Sequence, residues 1–394
     1  MGCVAQDAIG AARYPETMPI AREAASVALD SVELRVLHLP LVSPFTTSFG
    51  TESVREVIVV RAATTDGDGW GEIVTQPSPL YSSEYTYGAW DVCRRWLIPA
   101  LLEPARLRPE DVGAALGRFV GHRMAKAGLE MAVLDAALRA ESRSLAEYLG
   151  AVADRVPAGV SVGIQPNPAD LVDAVGGYLA QGYRRVKIKI RPGRDVAETA
   201  AVRDAFGDIP LQVDANAAYT LADADDLAEL DAFDLILIEQ PLQEDDLVDH
   251  AALARRLRTP VCLDESIVSA KAAADAVALG SAGVVNIKAG RVGGYLEAVR
   301  VHDVCRAAGI PVWCGGMLET GIGRAANAAL AALPGFTLVG DVSGSDRFYE
   351  QDIVRNPIRL ADGWVSVPAG PGTGAEVDES ALDAVTVARE VVRR

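Results

Sequence analysis

The sequence predicts a parallel (β/α) barrel of the TIM type, preceded by an α+β unit, and it does so through two observations. Short apolar runs that end in an acid or a lysine place these residues at positions 189, 214, 239, 264 and 288, at spacings of 25, 25, 25 and 24 residues. A repeat of about 25 residues is the length of one strand, loop, helix and loop. Strand-like and helix-like segments also alternate eight times between residues 158 and 341. The ionisable residues are therefore expected at one rim of the barrel, where the chemistry of such barrels is found.

The first part of the chain has the pattern of an α+β domain. Residues 1–30 contain charges and Pro15 but no apolar core, which indicates a loosely ordered extension rather than a secretory signal. Two strand-like runs, 32–36 and 57–60, precede Asp-Gly-Asp-Gly at 66–69, which is a hairpin signal. The pattern that follows predicts helices at 83–102, 109–119 and 125–149. We predict an α+β domain over residues 31–157.

The second part alternates strand and helix, as a parallel barrel requires. Helical segments such as 169–181 and 222–230 separate the strands. The barrel is predicted over residues 158–345, and the Gly- and Pro-rich segment 346–394 is expected to return to the α+β domain. The strand cores are predicted at 160–162, 185–190, 211–214, 235–239, 261–264, 284–288, 311–314 and 336–340.

Composition excludes several classes of function. The formal charge of −17, from 37 basic and 54 acidic residues, argues against a nucleic-acid-binding surface. The five cysteines are odd in number and form no closely spaced pair, so neither a disulfide framework nor a zinc site is expected. The chain has no run of 18 apolar residues, and we therefore expect no membrane span. A reducing cytoplasm fits these features.

Three carboxylates are predicted to converge. Asp214, Glu239 and Asp264 end successive strands, so they are expected to point at one spot on the rim. Three uncompensated carboxylates at close range repel one another, and a cation among them removes that repulsion. Because the donors are all oxygens, the expected ion is Mg²⁺, with Mn²⁺ second.

Three lysines are predicted to face these acids. Lys187 and Lys189 lie two residues apart on one strand and therefore project to the same side, the interior of the barrel. Lys288 ends a strand across the barrel, and Arg291 follows it. Mutual repulsion and a nearby metal ion are expected to lower lysine pKa values, which leaves a free amine able to remove a proton. The constellation therefore predicts removal of a proton α to a carboxylate of a small molecule, with the resulting enediolate stabilised by the metal ion.

These motifs resemble those of a known family. Lys187-Ile-Lys189, Val213-Asp-Ala-Asn216, Ile238-Glu-Gln-Pro241, Leu263-Asp-Glu-Ser266 and Asn286-Ile-Lys288 are similar to the motifs of the enolase superfamily and, within it, of the muconate-lactonising-enzyme subgroup. The resemblance covers residues 31–375. It implies a (β/α)7β-type TIM barrel with an α+β capping domain built from the N-terminal region and the C-terminal tail.

Two further segments narrow the resemblance. Residues 313–327 and 288–294 are similar to the o-succinylbenzoate synthase / N-succinylamino acid racemase family, although Ala289 stands where that family usually has proline. The resemblance implies that Lys189 and Lys288 are the two acid/base groups of racemisation. In the synthase reaction, a syn dehydration in menaquinone synthesis, Lys189 would act first as base and then as acid, with Lys288 as a cation over the opposite face. Lys187 would tune Lys189.

The same resemblance predicts the groups around the substrate. Residues 41–50 are similar to a capping-domain loop that closes over the substrate, with Phe45 and Phe49 as its apolar contacts. The substrate is expected to carry a succinyl or acyl group, and the protein is expected to be a homo-oligomer, a dimer or an octamer. Residues predicted to contact the substrate or to support those that do are Arg291, Asn216, Asn286, Gly315, Gly316, Met317, Glu319, Phe45 and Phe49.

The sequence also bears on other functions of such barrels. A barrel of the mandelate racemase type needs a histidine at the rim, and none of the four histidines falls at a predicted strand end. Muconate-type cycloisomerisation uses the same lysines and stays an alternative, although the 315–320 segment disfavours it. A non-catalytic barrel is the other alternative, and loss of a ligand or a lysine would support it. The choice between racemase and synthase stays open at this stage.

Overall fold

The structure, a computed structural model, describes residues 23–394. Most of the extension predicted at 1–30 lies outside the described residues. Within them, Val27 is buried and pairs with Leu107 through hydrogen bonds in both directions, and the first strand begins at Leu29. Among residues 23–394, no helix combines the length and the apolar character that crossing a membrane requires.

The capping domain is built on a four-stranded antiparallel sheet. Its strands are β1 (Leu29–Thr47), β2 (Gly50–Thr64), β3 (Gly67–Ile73) and the C-terminal β13 (Thr386–Arg393), in the order β13-β1-β2-β3. The predicted hairpin signal forms the turn between β2 and β3. Arg393 lies opposite Ser31, so the C-terminal tail is part of the cap. This confirms the predicted architecture, in which the N-terminal region and the C-terminal tail form one capping domain.

Helices cover this sheet. They are α1 (Thr86–Val92), a π-helical turn (Cys93–Leu97), α2 (Ile98–Leu102), α3 (Pro109–Leu116), α4 (Arg123–Ala140) and α5 (Leu145–Leu149). The helix predicted over 125–149 is therefore broken in two. Ser142 adopts a left-handed φ of 54°, and the Ser144 side chain accepts a hydrogen bond from the Glu147 N–H, which starts α5.

The barrel contains seven parallel strands in chain order. They are β5 (Gly159–Val162), β6 (Arg185–Lys189), β7 (Leu211–Asp214), β8 (Ile238–Glu239), β9 (Val261–Leu263), β10 (Val284–Ile287) and β11 (Val312–Cys314). The eighth predicted strand, 336–340, forms isolated bridges instead. Phe336 pairs with Val312, and Gly340 pairs with Ala158, so this segment connects β11 to β5 and closes the ring. Beside β11 it also donates from the Leu338 N–H to Val312 O and from the Asp341 N–H to Cys314 O, but beside β5 it pairs only at Gly340, so no continuous strand forms.

Helices surround the barrel, and a short ribbon lies beside them. The helices are α6 (Pro168–Ala180), α7 (Asp195–Phe206), α8 (Ala224–Glu229), α9 (Leu247–Ala254), α10 (Ala270–Leu279), α11 (Ala289–Val292), α12 (Tyr295–Ala307) and α13 (Gly321–Ala331). The ribbon pairs β4 (Arg155–Pro157) with β12 (Trp364–Ser366), and α14 (Glu379–Val385) precedes β13. Single 3₁₀ turns occur at Leu221–Asp223, Leu230–Phe233 and Ser345–Arg347.

Two buried glutamates join the cap to the barrel. Glu72 of β3 accepts hydrogen bonds from the N–H groups of Thr320 and Gly323 at the start of α13. Glu130 of α4 accepts from the N–H groups at the start of α12, at 2.6 Å for Tyr295. Free N–H groups and the helix dipole both favour a carboxylate at these positions. Burial nevertheless dominates, and it raises the pKa of Glu72 to about 7 and that of Glu130 to about 8.

The backbones of β3 and α4 approach so closely at Gly71 that a larger residue there is expected to destabilise the fold. A Cβ at Gly71 would lie 2.1 Å from the Gly128 carbonyl oxygen, so we expect Gly71→Ala to lower the free energy of unfolding by about 1–3 kcal/mol. Gly113 of α3 has open space around it, and Gly113→Ala is the matched control, expected to be neutral or stabilising by about 0.4–1 kcal/mol. Urea denaturation measures both changes. Equal effects of the two substitutions would contradict the close approach.

The Glu130 contact predicts a pH dependence of stability. The folded state holds the Glu130 proton up to pH about 8, whereas the unfolded chain loses it near the ordinary value of 4.5. Unfolding therefore releases a proton between these limits, and this group lowers stability as pH rises, by at most about 1.4 kcal/mol per pH unit. We expect Glu130→Gln to flatten the fall in unfolding free energy between pH 5 and 8. The same substitution at exposed Glu350 should leave the slope unchanged.

Candidate active site

Three acids stand at the ends of consecutive barrel strands. Asp214 is the last residue of β7 and Glu239 the last of β8, and the two lie opposite each other in the strand register. Asp264 directly follows β9. All three side chains are at most 1% exposed. The structure therefore brings together the carboxylates that the spacing placed on one rim.

Lys187 lies among these acids. Its Nζ is 2.8 Å from Glu239 Oε2, 3.2 Å from Asp214 Oδ2 and 2.7 Å from Asp341 Oδ2. Its ammonium also lies 4.8 Å from the centre of the Trp313 ring, within the range of a cation–π contact. Lys187 is thus held by protein groups on several sides, which suits a charge that orients and stabilises its neighbours.

Lys189 and Lys288 face the interior from opposite walls. The strand order places β6 and β10 four positions apart in a ring of eight segments. Lys189 Nζ lies 2.7 Å from Asp214 Oδ2 and donates to Asn216 Oδ1 at 2.6 Å. Lys288 Nζ lies 2.6 Å from Asp264 Oδ2 and donates to the Tyr81 hydroxyl at 3.1 Å. Both lysines border one cavity of about 300 Å³.

The charges of the protein shift several pKa values. Burial and the neighbouring carboxylates of Asp214 and Asp264 raise the pKa of Glu239 well above its ordinary value. Burial alone would lower the pKa of Lys288, but Asp264 and other negative groups outweigh it, and the pKa is raised. The pKa of Lys187 is likewise raised, because Asp341, Glu239 and Asp214 outweigh burial. For these two lysines the direction is opposite to the lowering expected from sequence, because these carboxylates stabilise the ammonium form.

The donor groups fit a hard divalent cation. Asp264 Oδ1 and Glu265 Oε2 are buried and have no hydrogen-bond partner within residues 23–394. Burial and the neighbouring Asp264 and Asp214 carboxylates raise the pKa of Glu265 to about 7, which reflects excess negative charge here. Among residues 23–394, no three His, Cys, Asp or Glu side chains are already arranged to hold a metal ion. Metal binding therefore requires the carboxylates to exchange their ammonium partners for the cation.

Polar neighbours hold the charged groups in place. Asn286 donates to Glu239 Oε1 at 2.7 Å, and Asn216 donates to Glu265 Oε1 at 3.0 Å. Arg291 donates to the Glu265 carbonyl, and its Nε lies 3.8 Å from Asp264 Oδ1. A Cβ at Gly315 would lie 2.3 Å from Asn286 Oδ1 and 2.7 Å from Lys288 Cε, so only glycine allows this approach.

Apolar side chains form part of the lining of this cavity. Phe45, Phe49, Gly316 and Met317 line it together with Tyr81, and the Phe49 and Tyr81 rings lie 5.5 Å apart. Glu319 lies apart from this cavity. It accepts a hydrogen bond from Asn327 at 2.9 Å and borders a second, smaller cavity.

Two residues that contact the lysines, Asp341 and Tyr81, were not predicted from the sequence. Asp341 follows the apolar run 336–340, the same signal that identified the other acids, and could have been found by it. Tyr81 lies in an irregular segment between β3 and α1, where no periodicity marks it. Only the placement of the cap over the barrel brings Tyr81 to Lys288.

Comparison with known families identifies the class of protein. Residues 31–150 match the mandelate racemase / muconate lactonizing enzyme N-terminal domain, and residues 170–381 match the family described as enolase C-terminal domain-like. The chain belongs to the enolase superfamily. Members of this superfamily are Mg²⁺-dependent enzymes.

Similar proteins narrow the comparison further. The chain is 62% identical to an N-succinylamino acid racemase from Amycolatopsis sp, over 92% of this chain and 98% of that protein. It is 46% identical to an o-succinylbenzoate synthase from Geobacillus stearothermophilus, over 94% and 99% of the two chains. A crystal structure of an enolase-superfamily member from Listeria innocua Clip11262 superposes with a TM-score of 0.89 at 39% identity, covering 93% of this chain and 99% of that one.

If Asp264 is a ligand of the metal ion and Asp341 is not, replacing these two acids should change Mg²⁺ binding to different extents. We expect Asp264→Asn to weaken Mg²⁺ binding at least about 10-fold, because it removes a charged oxygen donor. Asp341→Asn is the control, since the two Asp341 oxygens are already engaged by Arg185 and Lys187, each at 2.7 Å. Calorimetric titration with MgCl₂ measures both. An equal loss in the two variants would contradict the assignment of Asp264 rather than Asp341 as a ligand.

Proposed function

We propose that this protein removes the proton α to the carboxylate of an N-succinyl- or N-acylamino acid and returns a proton to the opposite face, as a racemase. We further propose that the same site performs the o-succinylbenzoate synthase reaction. The observation that supports this best is the position of Lys189 and Lys288 on opposite walls of one cavity. The names of the relatives at 62% and 46% identity support the same substrate class.

The two lysines provide the proton transfers. In racemisation, one lysine accepts the α-proton as a free amine, and the other, as an ammonium, donates a proton to the opposite face of the same carbon. In the synthase reaction, Lys189 takes the α-proton and then gives it to the departing hydroxide, so that water leaves. Lys288 stays an ammonium whose charge stabilises the anion.

Asp214, Glu239 and Asp264 are proposed to hold Mg²⁺, with Mn²⁺ as the second choice. When bound, the cation supplies positive charge that stabilises the negative charge developing on the substrate carboxylate. Lys187, held by Asp341, Glu239 and Asp214, is proposed to position Lys189 and to add positive charge near the substrate. Phe45 and Phe49, which line the cavity, are proposed to exclude water from the site.

The alternatives are less well supported. Muconate-type cycloisomerisation is not favoured, because a muconate lactonizing enzyme of known structure is only 27% identical to this chain. A non-catalytic barrel is disfavoured because the three carboxylates and three lysines are all present and face one interior. We also propose a cytoplasmic location, which the four described cysteines, all free, support. A homo-oligomer, either dimer or octamer, stays a prediction.

Proton–deuterium exchange at the α-carbon tests the proposed function. We expect the protein to exchange the α-proton of N-succinyl-L-phenylalanine and of N-succinyl-D-phenylalanine in D₂O when Mg²⁺ is present. Addition of EDTA should stop this exchange. No exchange with either enantiomer, together with turnover of the cyclohexadiene precursor of o-succinylbenzoate, would leave only the synthase activity. Inactivity on all three would refute the proposed function.

Replacing one lysine at a time shows which enantiomer each lysine deprotonates. Because the lysines face opposite sides of the substrate, we expect Lys189→Ala and Lys288→Ala each to abolish exchange of one enantiomer. The loss should be about 100-fold or more, in the range that general acid–base catalysis contributes. Proton NMR of the α-position measures both. Loss of the same enantiomer in both variants would contradict the two-base arrangement.

A further inference from the structure

Glu239, the second of the three proposed metal ligands in chain order, lies on the shortest of the seven barrel strands. β8 contains only Ile238 and Glu239, and it pairs with β9 through two residue pairs. So short a ladder gives the end of the strand few hydrogen bonds to its neighbours, and segments with few such contacts open most easily. Other groups must therefore fix the Glu239 carboxylate relative to the acids on either side.

Gln240 continues the pairing past the end of β8. Its N–H donates to the Cys262 carbonyl at 2.8 Å. Its side-chain oxygen accepts hydrogen bonds from two N–H groups beyond β9, that of Asp264 at 3.0 Å and that of Ser266 at 3.2 Å. Its side-chain nitrogen donates to the Ser266 hydroxyl at 2.8 Å and to the Leu242 carbonyl at 3.1 Å. One fully buried amide thus joins the end of β8 to Asp264 itself.

The main chain of Gln240 also reaches the loop after β7. Its carbonyl accepts from the Ala217 N–H at 2.8 Å, three residues beyond Asp214. Gln240, Asn216 and Ala217 have left-handed φ angles of 37°, 44° and 59°. Residues other than glycine keep such angles only where the surrounding contacts fix them, and these strained positions cluster at functional sites. The segments that follow β7, β8 and β9 are therefore joined at Gln240.

A buried histidine supports this segment. His250 of α9 is fully buried, and its Nε2 lies 3.1 Å from the Leu242 nitrogen. Because the Leu242 N–H can only donate, Nε2 is the unprotonated ring nitrogen, and Nδ1 donates its hydrogen to the Asp246 carbonyl. Burial also keeps the pKa of His250 below its ordinary value. The neutral ring thus fixes Leu242, whose carbonyl accepts from the Gln240 amide.

We propose that Gln240 is a positioning residue, supported by His250, which sets the separation of Glu239 and Asp264 and thereby the affinity of the site for Mg²⁺. This inference rests on the proposed function, because it takes the assignment of the metal ligands from there. Mg²⁺ demands nearly ideal octahedral geometry, so its binding is sensitive to the placement of each carboxylate. The Gln240 side-chain oxygen is already engaged by two N–H groups, so its role is to orient ligands rather than to be one.

Calorimetric titration of the full chain with MgCl₂ tests this proposal without turnover. Gln240→Met keeps the size of the side chain but removes its acceptor and its donor, and we expect the Kd for Mg²⁺ to rise about 10- to 100-fold. His250→Leu should raise the Kd by a smaller factor. That increase should be largely absent when Gln240→Met is already present, because His250 acts through Gln240. Urea denaturation in EDTA shows that each variant is folded under the conditions of the titration.

Asp231 offers a matched control at the other end of the same two strands. Its carboxylate accepts hydrogen bonds from the N–H groups of Arg258 at 2.9 Å and Thr259 at 2.7 Å, which precede β9. Asp231→Ala removes a bridge of the same kind, so it should lower the free energy of unfolding and leave the Kd for Mg²⁺ unchanged. If Gln240→Met also lowers stability and leaves the Kd unchanged, Gln240 has a structural role only and the proposal is overturned.

α-Proton exchange by the same proteins separates this proposal from the proposed function. If Mg²⁺ binding depends on Gln240 but the intact protein exchanges neither enantiomer of N-succinylphenylalanine, the proposed function fails and the role of Gln240 stands. If exchange occurs and the Kd does not depend on Gln240, the proposed function stands and the role of Gln240 fails. An intact protein that binds no Mg²⁺ would refute both the ligand assignment and the role of Gln240.

Discussion

The structure depends on the balance of opposite charges inside a closed ring of strands. Asp214, Glu239 and Asp264 could not be buried together unless positive charge lay among them, and the lysines of β6 and β10 provide that charge. The same lysines are the groups proposed to move protons. The site therefore uses one set of ion pairs for two purposes, to keep the barrel interior stable and to keep the reactive amines close to the place where a substrate would lie.

Much of this arrangement could be predicted because each strand presents its last residue at the same rim. The spacing from Lys189 to Lys288 identified both the barrel and most of its charged interior. The exception has a physical reason. Tyr81 reaches Lys288 only through the placement of the cap on the barrel, and no local periodicity marks that contact.

Secondary structure was predictable except where tertiary contacts overrode the pattern. Apolar residues continue at helical spacing through 125–149, but the left-handed Ser142 and the cap at Ser144 divide the segment. The 336–340 run looks like a strand and yet only bridges its two neighbours. The pKa values of Lys187 and Lys288 are raised by the acids around them, whereas the prediction of lowered values rested on repulsion between the lysines and on a nearby metal ion.

The contacts of Glu72 and Glu130 tie the cap to particular parts of the barrel. The helices whose first turns they meet, α13 and α12, follow the strands that lead to Gly315 and Lys288. The tip of the β1–β2 hairpin, which bears Phe45 and Phe49, is therefore held in register with those two strands. A cap transplanted onto a foreign barrel would keep this register only if that barrel offered free helix N-termini at the same two places. Cap and barrel are thus expected to be inherited together, and new substrate ranges to arise by changes at loop tips rather than by exchange of whole domains.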